Sequence, residues 1–234
     1  MKLLALDTAT DWCSVALWQD GETISRDSQA ERGHGGQLLA MVDALLAQAG
    51  CTLNTFDAIA FGRGPGAFTG LRIAASVTQG LAFAAGLPVI PVSDLRALAQ
   101  RGLAGPGSGP GTRVLVCQDA RMSEVYWAGF AAVDAHARAA TAEAVARPED
   151  MLAAARDWLG TGDVCGVGSG FAAYPALSAL ATQLAPLMSE VRPRAQEIAA
   201  LAAHDGMGTA LPAEQALPVY VRTNVATAPA GRTE

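Results

Sequence analysis

Three short apolar runs open the chain: KLLALDT at residues 2–8, CSVALWQD at 13–20 and ETISRDS at 22–28. Asp20-Gly21 between the second and third supplies the positive φ of a tight hairpin, so the runs predict an antiparallel meander. The period then changes. Leu38, Met41, Val42, Leu45, Leu46 and Ala49 recur at helical spacing. They are followed by the buried run DAIAFG, a long apolar helix over residues 67–85, the strand LPVIPV and the helix SDLRALAQ. Short strands alternating with helices predict parallel crossovers. Residues 102–112, GLAGPGSGPGT, hold no side chain able to build a core and mark a linker. The second half restarts with RVLVCQDA and EVYWAGFAAV, continues through an Ala/Arg stretch (131–147) read as a solvated connection, and adds the helix EDMLAAARDWL. The strand DVCGVG and the helix YPALSALATQL follow. It reads as a shortened copy of the first half. These patterns predict a first lobe over residues 1–104, a reduced second lobe over 105–193, and a helix at about 194–206, ended by Gly206, that returns to the first lobe. Residues 207–234 form a closing segment, LPVYVR, and a polar tail.

With 234 residues, 51% of them apolar, the chain can bury a substantial core. No apolar run reaches the roughly 20 residues needed to span a bilayer, and Asp7 interrupts the N-terminal run too early for a signal peptide, so a cytoplasmic protein is expected. Cys13, Cys51, Cys117 and Cys165 form no C-x-x-C pair and read as buried thiols. A net charge of −6 argues against an independent grip on nucleic acid, which takes clustered Lys and Arg. Lys2 is the only lysine among 16 basic residues, which excludes a P-loop and Schiff-base chemistry. His34, His136 and His204 are too scattered for a local metal motif.

Two strands joined by a turn bearing Asp7, Thr8 and Thr10 have the shape that actin-like and sugar-kinase-like ATPases use for nucleotide phosphate. Asp7 could orient a magnesium-bound water and the threonines could donate to phosphate; a hairpin stabilised by its own side chains is the equal alternative. A second such turn surrounds Asp119, and the glycines of GVGSG, Gly168 and Gly170, could approach an adenosine. Weak ATP or ADP binding through these residues is therefore an open expectation.

In GRGPGAFTG the glycines and Pro65 lead into the long helix, whose first turn presents unpaired N–H groups. Along that helix Gly66, Gly70, Ala74, Thr78 and Ala82 recur every fourth residue, a seam of small side chains, while Ile73, Val77 and Leu81 lie on the other side. An interior glycine costs roughly 1 kcal/mol against alanine, and close packing would offset it. The preferred reading sets the small seam against a partner helix and the branched side against the chain's own sheet, with packing inside the lobe as the alternative. The interface then comprises Leu38, Val42 and Leu45 of the first helix with Phe68, Gly70, Ala74, Thr78 and Ala82 of the second. Gly70→Leu or Ala74→Arg should abolish association and leave the monomer folded.

The blocks LLALDTAT, GRGPGAFTGLRIAASVTQGLA, PVIPVSDLRALA, DARMSEVY, GVGSG and PVYVR together resemble the TsaB family (formerly YeaZ) over nearly the whole chain. The GPGAFTGLRI block is the most distinctive; Ala67 and Ala74 stand where the family has a serine and a glycine. The resemblance implies an α/β, actin-like ATPase (ribonuclease-H-like) fold of two lobes, the second reduced. It also implies a non-catalytic dimerisation subunit that binds the catalytic paralogue TsaD and the ATPase TsaE. That complex transfers a threonylcarbamoyl group to N6 of the adenosine beside the anticodon, so tRNA would be reached only through the complex. Alone, the chain would form an isologous homodimer. The paralogue holds a metal through two histidines four residues apart; the matching positions here are Asp94 and Leu98, so no metal, no catalytic residue and no required cofactor are expected. The alternatives from other classes are an ATPase or small-molecule kinase using Asp7 or Asp119, and a nucleotide-binding regulatory module.

Overall fold

The computed structural model describes residues 1–29, 34–105, 109–160 and 163–222; the middle of the expected linker and the polar tail lie outside them. The meander forms as β1 (Lys2–Asp7), β2 (Trp12–Gln19) and β3 (Glu22–Gln29), turning at Asp20 and Gly21 with φ of 51° and 94°. β4 (Ala58–Gly62) and β5 (Val89–Val92) join in parallel, giving the order β3-β2-β1-β4-β5. Alternation along β1 assigns the faces. Leu4 and Leu6 pack with Leu38, Val42 and Leu45 of α1 (His34–Ala49) and with Ala75 and Ala82 of α2 (Phe68–Ala85). Leu3 and Ala5 face the other way.

That other face receives Ala97 of α3 (Asp94–Leu103), which Ser93 caps by accepting the Arg96 N–H at 3.1 Å. The opposite side of α3, Leu95, Leu98 and Ala99, packs on the second sheet, so this one helix is buried between two sheets. The second sheet contains β6 (Arg113–Asp119), β7 (Val125–Val133), β8 (His136–Ala139), β9 (Ala144–Ala146), β10 (Val164–Val167) and β11 (Leu187–Met188). Its order is β11-β10-β6-β7-β8, with β9 also on β7. Its outer face is covered by α4 (Pro148–Leu159) and two single turns, α5 (Gly170–Ala173) and α6 (Ser178–Ala181). A hairpin followed by parallel strands thus occurs twice, the second time shortened: this is the actin-like α/β fold of two lobes with the second reduced. A last helix, α7 (Ala195–Asp205), lies against the first sheet beside Leu3, Ala5 and Ile90 and ends at Gly206, φ 74°. The lobes are also clamped by Arg96, whose guanidinium is bidentate on Asp205 (2.5 and 2.9 Å) and donates to the Ala137 carbonyl at 2.6 Å. Among the described residues no helix is long and apolar enough to cross a membrane.

Two sequence expectations are corrected. The Ala/Arg stretch is no free connection: it folds back as β8 and β9 along the edge of β7 opposite β6, which would otherwise be an open sheet edge, and Ala137 is fully buried there. The expected helix YPALSALATQL is broken, Tyr174 being extended and Pro175–Leu177 a 3-10 turn, because Leu177 and Leu180 dock locally into the second core.

Candidate functional site

The β1–β2 turn, the start of α2, the β6–β7 turn and residues 189–193 and 219–222 enclose an interlobe cleft of about 970 Å³. Thr10 and Asp119 line it. Thr10 Oγ1 accepts the Trp12 N–H at 3.2 Å. Asp119 accepts the Tyr174 hydroxyl at 2.7 Å and the Arg121 N–H at 2.8 Å, and pairs with the Arg121 guanidinium at 3.2 Å.

The other expected nucleotide contacts do not face this space. Thr8 is fully buried and donates to the Gly70 carbonyl at 2.7 Å. Gly168 and Gly170 pack on β6, where an added Cβ would strike the Cys117 carbonyl and sulfur respectively, so they are glycines for close strand contact. Asp7 is 1% exposed and accepts the Ala9 N–H at 2.9 Å.

Asp7 has a partner that the sequence reading missed. Asp94, also 1% exposed, accepts the Gly64 N–H at 2.5 Å, and its carboxyl lies beside that of Asp7. Gly62 makes the room: a Cβ there would sit 2.5 Å from Asp94 Oδ1 and 2.6 Å from Asp7 Oδ1. Burial pushes Asp7 up to about 6, partly offset by the N–H of Ala9 and the bond from Asp94. Burial and the Asp7 charge push Asp94 well above the ordinary carboxylate range. Both shifts favour the neutral form, Asp94 the more strongly, so a proton shared between the two carboxyls is the expected state near neutral pH. Asp94 Oδ1 has no other hydrogen-bond partner, which the shared proton explains.

The helix face requires a larger correction. Of the eight residues expected on a partner interface, Leu38, Val42, Leu45, Gly70, Ala74, Thr78 and Ala82 are buried within the chain's own lobe. The small seam exists because α2 lies close over the end of β1: a Cβ on Gly70 would overlap the Thr8 carbonyl oxygen. Phe68 is exposed but packs against Tyr220, ring centroids 5.0 Å apart and planes tilted by 37°. The sides are reversed, and it is Ile73, Val77 and Leu81 that sit half-buried at the edge of the core. The outward surface of the helix pair carries Leu39 (44% exposed), Ser76 and Gly80, together with Phe83 (83% exposed). An apolar groove of about 410 Å³ runs there, lined by Gly35, Thr69, Arg72, Ile73, Ser76 and Val77. Gly80 would meet nothing within 4 Å if it carried a Cβ, so no contact in the monomer accounts for a helix-interior glycine.

Comparison with known proteins decides the family. The model of the family "TsaD: tRNA N6-adenosine threonylcarbamoyltransferase" matches residues 24–229. The Escherichia coli K12 protein named "tRNA threonylcarbamoyladenosine biosynthesis protein TsaB" is 39% identical over 228 residues, 97% of this chain and 96% of that one. The chain belongs to the TsaB (YeaZ) family. A Haemophilus influenzae TsaB is 41% identical over 182 residues, 74% of each chain. The solved YeaZ of Pseudomonas aeruginosa superposes with a TM-score of 0.77 at 41% identity, covering 94% of this chain and 99% of that one. Another structure from that organism, described as similar to peptidase YeaZ, reaches 0.85 at 44% identity over the same shares.

The metal of the catalytic paralogue does not fit this TsaB-family chain. Asp94 is committed to the Gly64 N–H and to Asp7, and Leu98 is packed between the lobes. Among the described residues no group of three His, Cys, Asp or Glu side chains could hold an ion. His136 and His204 stack ring on ring at 3.8 Å, which aims their lone pairs side by side rather than at one point, while His34 begins α1 and borders the cleft.

Proposed function

We propose that this chain is a non-catalytic scaffold subunit for forming N6-threonylcarbamoyladenosine in tRNA. It docks a TsaD-like catalytic paralogue through the outward face of α1 and α2, with a TsaE-like ATPase joining the pair. The observation that carries this reading is the unexplained Gly80 on a helix face bearing Leu39, Ile73, Ser76, Val77 and Phe83 beside an apolar groove. Small residues let a second helix approach closely and the branched ones supply apolar area. The occupant is argued from kinship. A family model named for TsaD matches residues 24–229, so a TsaD-like subunit shares this fold and would present the same helix pair about a pseudo-two-fold axis. In its absence a second copy of this chain would take the place. The acidic charge favours a partner, rather than this chain, as the holder of tRNA in the cytoplasm.

No cofactor is required in this reading. Weak ATP or ADP binding keeps Thr10 and Asp119 as cleft contacts, and an ATPase or kinase loses Asp7 and Thr8, which are spent on internal bonds.

Gly80→Arg and Ser76→Arg test the docking face. Both positions are exposed, and Gly80→Arg should raise helix stability by about 0.5–1 kcal/mol while blocking assembly. Light scattering after size exclusion should show a wild-type dimer that exchanges into a one-to-one complex with the TsaD-like subunit, and monomeric variants that do not. A wild-type monomer indifferent to that subunit overturns the proposal.

A further inference from the structure

The closing segment, residues 217–222, joins neither sheet, yet it runs from one lobe to the other. On the first lobe Val219 donates its N–H to the Arg63 carbonyl at 2.7 Å. The Tyr220 hydroxyl accepts from Arg72 Nε at 3.1 Å, and the Arg72 guanidinium lies 3.7 Å over the Phe68 ring, which Tyr220 also contacts at a tilt. On the second lobe Arg222 pairs with the Glu124 carboxylate and donates to the Ala120 carbonyl at 3.1 Å and the Arg121 carbonyl at 3.4 Å. The turn it grips holds three successive non-glycine residues, Arg121, Met122 and Ser123, at φ of 61°, 54° and 59°. Left-handed backbone is unfavourable for each of them, so the turn needs outside support. Arg222 supplies it by occupying the carbonyls on one side. Val219, Tyr220 and Arg222 also wall the interlobe cleft.

We infer that residues 217–222 are a strap that fixes the closure of the two lobes and couples that closure to the docking face through Arg72; the coupling, though not the strap, rests on the docking proposed above. Arg72 belongs to both places. It lines the groove between α1 and α2 and it pins Tyr220. A partner seated on the groove that brings an acceptor for the remaining guanidinium N–H groups covers Arg72 while its Nε keeps the Tyr220 hydroxyl and its face keeps the Phe68 ring. The Arg72–Tyr220 bond, shut off from water, strengthens. Docking therefore tightens the strap, and by reciprocity a tight strap favours docking.

Amide hydrogen exchange on the full chain tests the strap first. Arg222→Ala leaves the Val219 bond to Arg63 untouched, yet should speed exchange of the Val219 amide by about tenfold. Glu124→Gln, which keeps the side chain's shape, should act in the same direction, with α3 amides unchanged in both variants as proof of fold. Unaltered Val219 exchange in both overturns the strap. With the TsaD-like subunit added, wild-type Val219 exchange should slow by about tenfold, and Arg222→Ala, remote from the groove, should weaken association by roughly fivefold. A complex that forms with neither change overturns the coupling. If no wild-type complex forms, the docking reading fails and the coupling with it, while the strap is decided by the variants alone.

Discussion

Gly70→Ala should destabilise the chain by about 3–4 kcal/mol, whereas Gly80→Ala, ten residues along the same helix, should stabilise it by about 0.5–1 kcal/mol. At Gly70 the new methyl group lands on the Thr8 carbonyl oxygen, a backbone atom at the end of β1 that cannot rotate away. Relief requires α2 to lift from the sheet, which breaks the Thr8 hydroxyl bond to the Gly70 carbonyl and opens the contacts of Ala74, Thr78 and Ala82 below it. At Gly80 the methyl meets only solvent, and the gain is the helix propensity of alanine. Urea unfolding of the two variants against wild type measures both signs in one experiment. Destabilisation by Gly80→Ala, or tolerance of Gly70→Ala, would show the orientation of α2 to be wrong. The same geometry predicts that Ala74→Arg unfolds the lobe, so it cannot serve to test association.

Orientation is where the sequence was least legible. The strands of the first sheet were readable because short apolar runs such as Leu3, Leu4, Ala5 and Leu6 are bounded by turn residues such as Asp20-Gly21, whereas β8 and β9 carry no such pattern. Helix α2 is different. Its small seam and its branched seam are both apolar, and close approach to a sheet selects small residues for the same steric reason as close approach to another helix. Only the position of Thr8 above Gly70 distinguishes them. The candidate site was half legible for a related reason. Asp7 and Asp119 end β1 and β6 and Thr8 follows β1, but whether a polar group faces a ligand or the interior depends on partners remote in sequence. Asp94 sits 87 residues from Asp7 and looks in sequence like an acidic first residue of a helix behind a serine cap. The closing segment was legible only as chain; nothing in LPVYVR announces that Arg222 will find the carbonyls of the β6–β7 turn. The family was legible, because blocks such as GPGAFTGLRI are specific where periodicity is not.

Asp94→Asn should stabilise the chain relative to wild type at neutral and alkaline pH, increasingly so as pH rises, and change little at pH 4.5. In the wild type, burial raises Asp7 from 3.8 to about 6 and holds Asp94 well above its ordinary range. A carboxyl whose folded pKa is raised binds its proton more tightly in the folded state. Its contribution is therefore complete below the unfolded value and is lost as pH climbs through the folded one. For this pair the loss begins near pH 4, passes through about 6 for Asp7 and continues above that for Asp94. Asparagine removes the need for the proton. Its Oδ1 can keep the Gly64 N–H, and its Nδ2–H can replace the acid proton as donor to Asp7, which then stays ionised beside a neutral amide. The difference in urea midpoint between variant and wild type, followed from pH 4.5 to 8.5, isolates the pair because every other titrating group is common to both chains. A difference that grows with pH identifies a proton held between the two carboxyls. An offset constant in pH would mean that the pair takes up no proton on folding.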